Sequence, residues 1–173
     1  MATPCSSSTT DGPLLTAGEC RQHAVYLGLG SNLGDRQQQL SMAIRLIGER
    51  VGRVVRQSSF IETDPWGFQS DHVFLNAVIL VETSCSPRQL LLLTQQIERD
   101  MGRNKPTASQ PSQGKASPRQ YSDRPIDIDI LLYDDLTIDE PDLQIPHPLM
   151  YQRDFVMRPL NEVKNMLTHN VQR

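Results

Sequence analysis

Two aspartates set into an apolar strand are the residues of this chain whose type and spacing best suit catalysis. Between Arg124 and Tyr133, Asp127 and Asp129 alternate with isoleucines. Residues two apart on a β-strand point to the same side, about 6.7 Å apart along the backbone, so both carboxylates project together. At that separation two ionised carboxylates repel by about 2.5 kcal/mol at an effective dielectric of about 20. A pair of divalent cations such as Mg²⁺, which prefer oxygen ligands and substrate phosphates, would turn the repulsion into attraction.

A second interpretation of the same segment is a solvated edge strand whose outer face happens to be acidic. Acids that alternate with isoleucine and leucine seldom mark a plain edge strand, because edges are usually protected by lysine, proline or bulges. The pattern favours the metal site and leaves the edge strand open.

Composition limits the classes of protein to which the chain can belong. Its 173 residues fit one domain with a real core, and its formal charge of −3 predicts neither a nucleic-acid partner nor a membrane surface. The three cysteines are few and far apart, which argues for reduced thiols rather than a disulfide framework or a zinc site. With no apolar run of about 18 residues and no secretory signal pattern, a cytoplasmic protein is expected.

Apolar periodicity and turn residues predict the order of the elements. Residues 1–22 are rich in Ser, Thr, Gly and Pro and are predicted to be a disordered tail, with a single domain over 23–173. The domain is predicted to be α+β: a ferredoxin-like βαββαβ antiparallel sheet with helices on one face. The predicted elements are strands at 24–30, 54–63, 74–83 and 124–133, and helices that begin at the caps Asp35 and Ser86 and near Arg153.

A polar segment from Asn104 to Asp123 interrupts this pattern. It contains three prolines, four serines and three glutamines without apolar periodicity. A loop of about 20 residues inside a compact domain is typically an active-site lid, although a tolerated surface insertion has the same composition. The segment leads directly into the two-aspartate strand, and its Lys105, Lys115 and Arg119 suit phosphate, so we expect a long lid loop.

The glycines of the segment from Gly28 to Gly34 suggest a nucleotide loop, but the details do not fit. Leu33 occupies the position where a dinucleotide fingerprint needs glycine, and no Gly-Lys-Ser/Thr of a Walker loop is present. We therefore expect these glycines to permit a sharp turn from strand to helix, and regard a phosphate cradle as the weaker alternative.

Three further features each allow a functional and a structural interpretation. Gln95 and Glu98 share one face of a predicted helix, which is either a ligand surface or an ordinary solvated face. His147 lies between two prolines that fix the backbone, so it is either pre-positioned for a ligand or structural. Trp66 and Phe74 could form the wall of a site for a flat heterocycle or cover the edge of the core.

Taken together, these motifs resemble the 6-hydroxymethyl-7,8-dihydropterin pyrophosphokinase family of folate biosynthesis. The resemblance runs in order over roughly residues 24 to 163. Its motifs are residues 27–35, residues 74–77, Glu98 with Gly102 and Arg103, residues 124–130 and residues 145–148.

The resemblance implies transfer of the terminal diphosphate of ATP to the hydroxymethyl oxygen of the pterin, with release of AMP, by a monomer that binds small molecules. It assigns two Mg²⁺ ions to Asp127 and Asp129, and adds Arg103 and Arg124 to the catalytic residues. The residues it implies for ATP are Gln95, Glu98, Tyr121, Arg124, Ile130, His147 and Arg153. Those it implies for the pterin are Thr63, Asp64, Trp66, Phe74, Asn76 and Phe155.

Two other classes of function share part of this pattern. A binding module without turnover would gain nothing from a repulsive acidic pair. A metal-dependent phosphohydrolase or nuclease would use the same acids, but the low positive charge disfavours the nucleic-acid version.

Overall fold

A computed structural model describes residues 21–66, 71–102 and 123–168 of the chain. The predicted tail, apart from its last two residues, and nearly all of the predicted lid loop lie outside these ranges. None of the described helices is long and apolar enough to cross a membrane.

An antiparallel sheet forms the centre of the fold. Its strands are β1 (His23–Ser31), β2 (Arg53–Gln57), β3 (Ile61–Thr63), β4 (Phe74–Thr83) and β5 (Asp127–Tyr133). The order across the sheet is β2-β4-β1-β5, and β3 also pairs with β4. The predicted strand over 54–63 is therefore two short strands, because the chain leaves the sheet between Gln57 and Ile61. A small hairpin of β6 (Ile138–Glu140) and β7 (Leu143–Ile145) follows β5.

The helices begin where the sequence predicts. Helix α1 (Arg36–Arg50) is capped by Asp35, whose side chain accepts a hydrogen bond from the Gln38 backbone N–H. Helix α2 (Pro87–Asp100) starts with a complete capping box between Ser86 and Gln89. Each such cap contributes about 1 kcal/mol by satisfying backbone donors that have no partner within the helix. Helix α3 (Asp154–Thr168) continues through Pro159.

Helices cover both faces of the sheet, so the prediction of helices on one face is wrong for α3. Leu40 of α1 and Leu90 of α2 pack with Leu27 and Ile79 in one core cluster. Leu160 of α3 packs in a second cluster, with Val78, Leu80 and Leu131 on the other face. Both faces of the inner strand β4 are apolar, and eight of its residues in a row are buried. The second apolar face of β4 is stable only when another element packs on it, because burying each such side chain contributes about 1.5–3 kcal/mol to the stability of the fold.

Candidate active site

An open cleft of about 590 Å³ lies on the α3 face of the sheet. Its floor is formed by neighbouring strands, and its walls come from the loop after β3 and from the start of α3. The cleft brings together ten residues predicted from the sequence for metal, ATP or pterin. These are Thr63, Asp64, Trp66, Phe74, Asn76, Arg124, Asp127, Asp129, Arg153 and Phe155.

The two aspartates project from β5 into this cleft, as their spacing predicts. Asp127 lies opposite Gly30 and Asp129 opposite Gly28 on the neighbouring strand β1. Ile128 and Ile130 point the other way, into the core beneath α1 and α2. The strand lies at one edge of the sheet, but its acidic face lines a pocket rather than open solvent. This placement removes the plain solvated edge as an explanation of the acids.

The electrostatics of the pair are unfavourable in the metal-free protein. Burial and, after it, the charge of Asp127 raise the pKa of Asp129 to about 7, against the opposing effect of Arg153 and Arg124. A carboxylate whose charged form is disfavoured is a good ligand for a cation that restores the charge balance. Among the described residues, no group of three or more His, Cys, Asp and Glu is suited to hold a metal.

Asparagine at position 129 is expected to stabilise the metal-free protein. Because the pKa of Asp129 is raised in the folded state, from 3.8 to about 7, folding is favoured at low pH and loses stability as the pH rises through that interval. The Asp129 side chain is 36% exposed, so solvent weakens the effect of the raised pKa on stability. We therefore expect Asp129→Asn to raise the free energy of unfolding by about 1–2 kcal/mol at pH 8, or Tm by about 3–6 °C.

Thermal unfolding of the wild-type protein and of Asp129→Asn with a chelator at pH 5 and pH 8 measures this effect. The advantage of the variant should be larger at pH 8, because the wild-type carboxylate is then ionised. An advantage that is equal at the two pH values, or absent, would contradict the shifted pKa.

Two arginines supply positive charge beside the acids. The Arg124 Nη2 atom lies 3.2 Å from Asp127 Oδ2, and the Arg124 guanidinium is 5.6 Å from the centre of the Phe74 ring. The guanidinium of Arg153 lies 4.6 Å from the centre of the Trp66 ring and 5.8 Å from that of Phe155. The two cations therefore join the acidic part of the cleft to its aromatic part.

Asn76 provides the polar group among the aromatic residues. It is buried at 6% exposure on β4, and its Nδ2 donates a hydrogen bond of 2.7 Å to Thr63 Oγ1. That bond fixes the orientation of the amide. An amide held between aromatic rings can recognise the hydrogen-bonding edge of a flat heterocycle, while the rings contact its faces.

Four described residues predicted for ATP are not among those that line this cleft. Glu98 is buried, and its Oε1 accepts the Ile128 N–H at 2.8 Å, a backbone donor on the outer edge of β5. Ile130 is packed in the core, and Gln95 is half-buried on α2. His147 is buried near the cleft, with its Nε2 4.0 Å from Asp129 Oδ2. Arg103 and Tyr121, with Lys105, Lys115 and Arg119, lie outside the described residues.

Two glycines belong to the site although the sequence prediction did not include them. Gly28 and Gly30 line the cleft. Both lie within β1, so the prediction that they form a turn is wrong for them. Only Gly34, with a φ of 64°, adopts the left-handed backbone before α1. The shared position of Gly28 and Gly30 could have been predicted from strand alternation, because residues two apart in β1 lie on the same face, just as the two aspartates do in β5.

Asn32 holds the beginning of the acidic segment. Its Oδ1 accepts the Arg124 N–H at 2.8 Å, and its own backbone N–H donates to the Arg124 carbonyl oxygen at 3.2 Å. Its Nδ2 also donates to Asp123 Oδ1 at 2.6 Å, and Asp123 contacts His72. Asn32 thereby fixes the backbone from which the Arg124 side chain reaches into the cleft.

Comparisons with known proteins agree on one family. The model of the 7,8-dihydro-6-hydroxymethylpterin-pyrophosphokinase (HPPK) family matches residues 26–165. The 2-amino-4-hydroxy-6-hydroxymethyldihydropteridine pyrophosphokinase of Porphyromonas gingivalis is 50% identical over 140 residues, which cover 80% of this chain and 89% of that protein. The protein of the same name from Bacillus subtilis is 39% identical, with 80% and 77% covered.

Solved structures show the same fold. A Plasmodium falciparum HPPK-DHPS matches with a TM-score of 0.60 at 17% identity over 84% of this chain and 41% of that chain. Another HPPK-DHPS, crystallised with substrates, matches with a TM-score of 0.63 at 14% identity, with 82% and 40% covered. This chain thus spans about two fifths of the length of these solved chains.

Proposed function

This chain belongs to the 7,8-dihydro-6-hydroxymethylpterin-pyrophosphokinase family, and from that premise we propose that it transfers the terminal diphosphate of ATP to the hydroxymethyl oxygen of 6-hydroxymethyl-7,8-dihydropterin. The products are the pterin diphosphate and AMP, and the reaction is a step of folate biosynthesis. The observation that supports this proposal best is that one cleft contains both the paired carboxylates and the amide with its aromatic rings. Carboxylates that can hold metal ions for a triphosphate and an amide that can recognise a heterocycle are thereby brought to the same cleft.

The donor set fits Mg²⁺. Asp127 and Asp129 offer hard oxygen ligands on one face of β5, and the pKa of Asp129, raised first by burial and then by the charge of Asp127, indicates that a bound cation would stabilise the ionised pair. We propose that both carboxylates hold the two ions that the family pattern implies. When bound, Mg²⁺ neutralises phosphate charge and makes the substrate hydroxyl more acidic.

The residues of the chain then have separate tasks. Arg124, beside Asp127, balances charge where the triphosphate would lie. The amide of Asn76 pairs with the polar edge of the pterin, and Phe74 and Phe155 pack against its faces. Diphosphoryl transfer needs alignment and charge neutralisation more than covalent chemistry, and a rigid sheet floor suits alignment. We also propose that His147 and Arg153 contact ATP beside the acidic pair. Gln95, Glu98 and Ile130 lie on the α2 side of the edge strand β5 and are proposed to contact the part of ATP that extends past that edge.

We propose that the segment from Asn104 to Asp123 forms a lid, and that Arg103 and Tyr121 are directed to ATP. The support is the composition of this segment and its direct connection to Arg124 and the acidic strand. Deleting residues 106–119 should lower the turnover rate far more than the pterin affinity, because a lid excludes water at the reacting step. A deletion variant with the wild-type rate constant would show that the segment is a passive insertion.

We also propose a strand arrangement, a class of partners and a cellular location for this protein. The order β2-β4-β1-β5 with antiparallel neighbours supports a ferredoxin-like arrangement once β2 and β3 are counted as one strand. The net charge of −3 supports an enzyme that binds small molecules without nucleic-acid or membrane partners. We propose a monomer in the cytoplasm.

One assay tests the proposed function. AMP formation is measured from ATP and Mg²⁺, with and without 6-hydroxymethyl-7,8-dihydropterin. Formation that depends on the pterin supports the diphosphotransferase. No AMP in either reaction would indicate a binding module, and phosphate release without the pterin would indicate a phosphohydrolase.

A further inference from the structure

Arg153 has a fixed backbone but a long and flexible side chain. The residue follows a short 3₁₀ turn, Met150–Gln152, and its N–H donates to the Met150 carbonyl oxygen at 3.2 Å. Its own carbonyl oxygen accepts the N–H groups of Val156 and Met157 at 2.9 Å, where α3 begins. The side chain of an arginine can still adopt many rotamers, so further contacts are needed to hold its charge in one place.

Aromatic rings of the cleft supply contacts of this kind. The guanidinium carbon of Arg153 lies 4.6 Å from the centre of the Trp66 ring, well inside the distance of about 6 Å within which a ring attracts a cation. Its distance to the centre of the Phe155 ring is 5.8 Å, close to that limit. Arg153 is only 5% exposed, and a ring attracts a cation more strongly where water is excluded. Because indole is also the best aromatic partner for a cation, Trp66 is the stronger of the two ring contacts.

The position of Trp66 fits a role in the cleft better than a role in the core. The residue comes three positions after Thr63, the last residue of β3, and neither core cluster of the described part of the chain includes it. It is 38% exposed and lines the cleft together with Arg153. A ring carries no net charge, so it attracts a guanidinium without neutralising it. Arg124, by contrast, lies 3.2 Å from the opposite charge of Asp127.

The charge held by the Trp66 ring acts on the acidic pair. Burial and the charge of Asp127 raise the pKa of Asp129, and the largest opposing effect is the charge of Arg153, ahead of that of Arg124. The Arg153 guanidinium is therefore close enough to the aspartates to act on phosphate oxygens that approach them.

We propose that Trp66 is a positioning residue for ATP. Its indole ring holds the Arg153 guanidinium beside the two aspartates, where the guanidinium meets the phosphates. This inference rests on the proposed function, because it assumes that the triphosphate binds at the aspartates. It gives Trp66 a task on the ATP side of the cleft, in place of the direct contact with the pterin that the family pattern implies.

Leucine at position 66 tests the inference through the split between the two substrates. Trp66→Leu keeps apolar bulk but removes the ring, so KM for ATP should rise about 5- to 30-fold, the range that corresponds to loss of one cation–π contact. KM for the pterin should stay within about twofold. Trp66→Phe keeps a smaller ring and should recover part of the ATP affinity. A pterin KM that rises while the ATP KM is unchanged would show that Trp66 is a wall for the heterocycle and would overturn the inference.

Tyr151→Leu is the matched control for removal of an aromatic ring. Tyr151 lies two positions before Arg153 and is 66% exposed, so its loss should leave both KM values within about twofold of wild type. An equal rise of the ATP KM in this control would show that any change near Arg153 has the same effect, and would overturn the specific role of the Trp66 ring.

A double-mutant cycle shows whether Trp66 acts through Arg153. Adding Trp66→Leu to Arg153→Ala should raise the ATP KM by less than about twofold, because the group that the ring holds is already absent. The full effect of Trp66→Leu in that background would overturn the inference.

Fluorescence measures the contact itself without turnover. Trp66 is the only tryptophan of the chain, so selectively excited tryptophan emission reports on this ring alone. Arg153→Ala should change the emission of the ligand-free protein, while Arg45→Ala, at an exposed position on α1, should not. Adding ATP with Mg²⁺ in the absence of the pterin should change the emission of the wild type and not that of Arg153→Ala. Identical emission from the wild type and Arg153→Ala, or a response to ATP that survives the loss of Arg153, would overturn the inference.

These measurements separate the inference from the proposed function. A wild-type protein without pterin-dependent AMP formation would refute the proposed function, whereas the emission of the ligand-free variants tests the contact between Trp66 and Arg153 directly. If thermal unfolding shows that Trp66→Leu does not fold, the emission comparison decides, because Arg153→Ala keeps the ring.

Discussion

Alanine at Asp127 or Asp129 is expected to reduce pterin-dependent AMP formation by at least about a thousandfold, or about 4 kcal/mol in activation free energy. Each substitution removes one of the two carboxylates that we propose as Mg²⁺ ligands, on the only described strand that presents carboxylates to the cleft. The fold should persist, because both side chains project from the edge strand into a pocket and the core beneath is made by Ile128 and Ile130.

Asp135→Ala provides the matched control for this experiment. Asp135 lies in the turn directly after the same strand and is exposed, so its loss should leave the rate within about twofold of wild type. Steady-state rates over a range of Mg²⁺ concentrations, together with thermal unfolding, make the comparison. Near-normal turnover by either cleft variant would refute a scheme in which both carboxylates bind the metal.

The acidic strand shows how much a sequence can reveal when one periodicity dominates. Alternation alone placed Asp127 and Asp129 on one face and the isoleucines on the other, and the structure agrees. Local signals of the same quality fixed the helix starts at Asp35 and Ser86, since a cap requires only three or four neighbouring residues. Predictions of this kind succeed because the physical cause lies within a few residues of its effect.

Predictions that depended on distant parts of the chain were less successful. Helix α3 was predicted from the sequence, but the face of the sheet that it covers depends on the chain path between Tyr133 and Asp154. The position of Gly30 on the cleft floor depends on its pairing with Asn76 and Asp127, which are 46 and 97 positions away. Strand register brings these residues together, and register is fixed by the whole sheet rather than by the local sequence.

The second large effect is expected at Arg124, where alanine should lower the rate by about 100- to 1,000-fold. The guanidinium lies 3.2 Å from Asp127 and over the Phe74 ring, so it contacts both the acidic and the aromatic parts of the cleft. Its side chain is only 14% exposed, and in such a partly dry site a fixed positive charge acts on phosphate with little screening.

Lysine at the same position should recover part of the activity and show which property of Arg124 matters. Lysine keeps the charge but lacks the planar fork that binds phosphate through two hydrogen bonds, so we expect Arg124→Lys to remain about tenfold below wild type. Arg45→Ala on α1, where the side chain is 63% exposed, is the control and should be fully active. The backbone of Arg124 is held by Asn32, so both variants should keep the acidic strand in place. If Arg124→Ala turned over within about threefold of wild type, charge from this arginine would have no part in the reaction, and the phosphates would have to be neutralised by the metal ions and by residues 103–122.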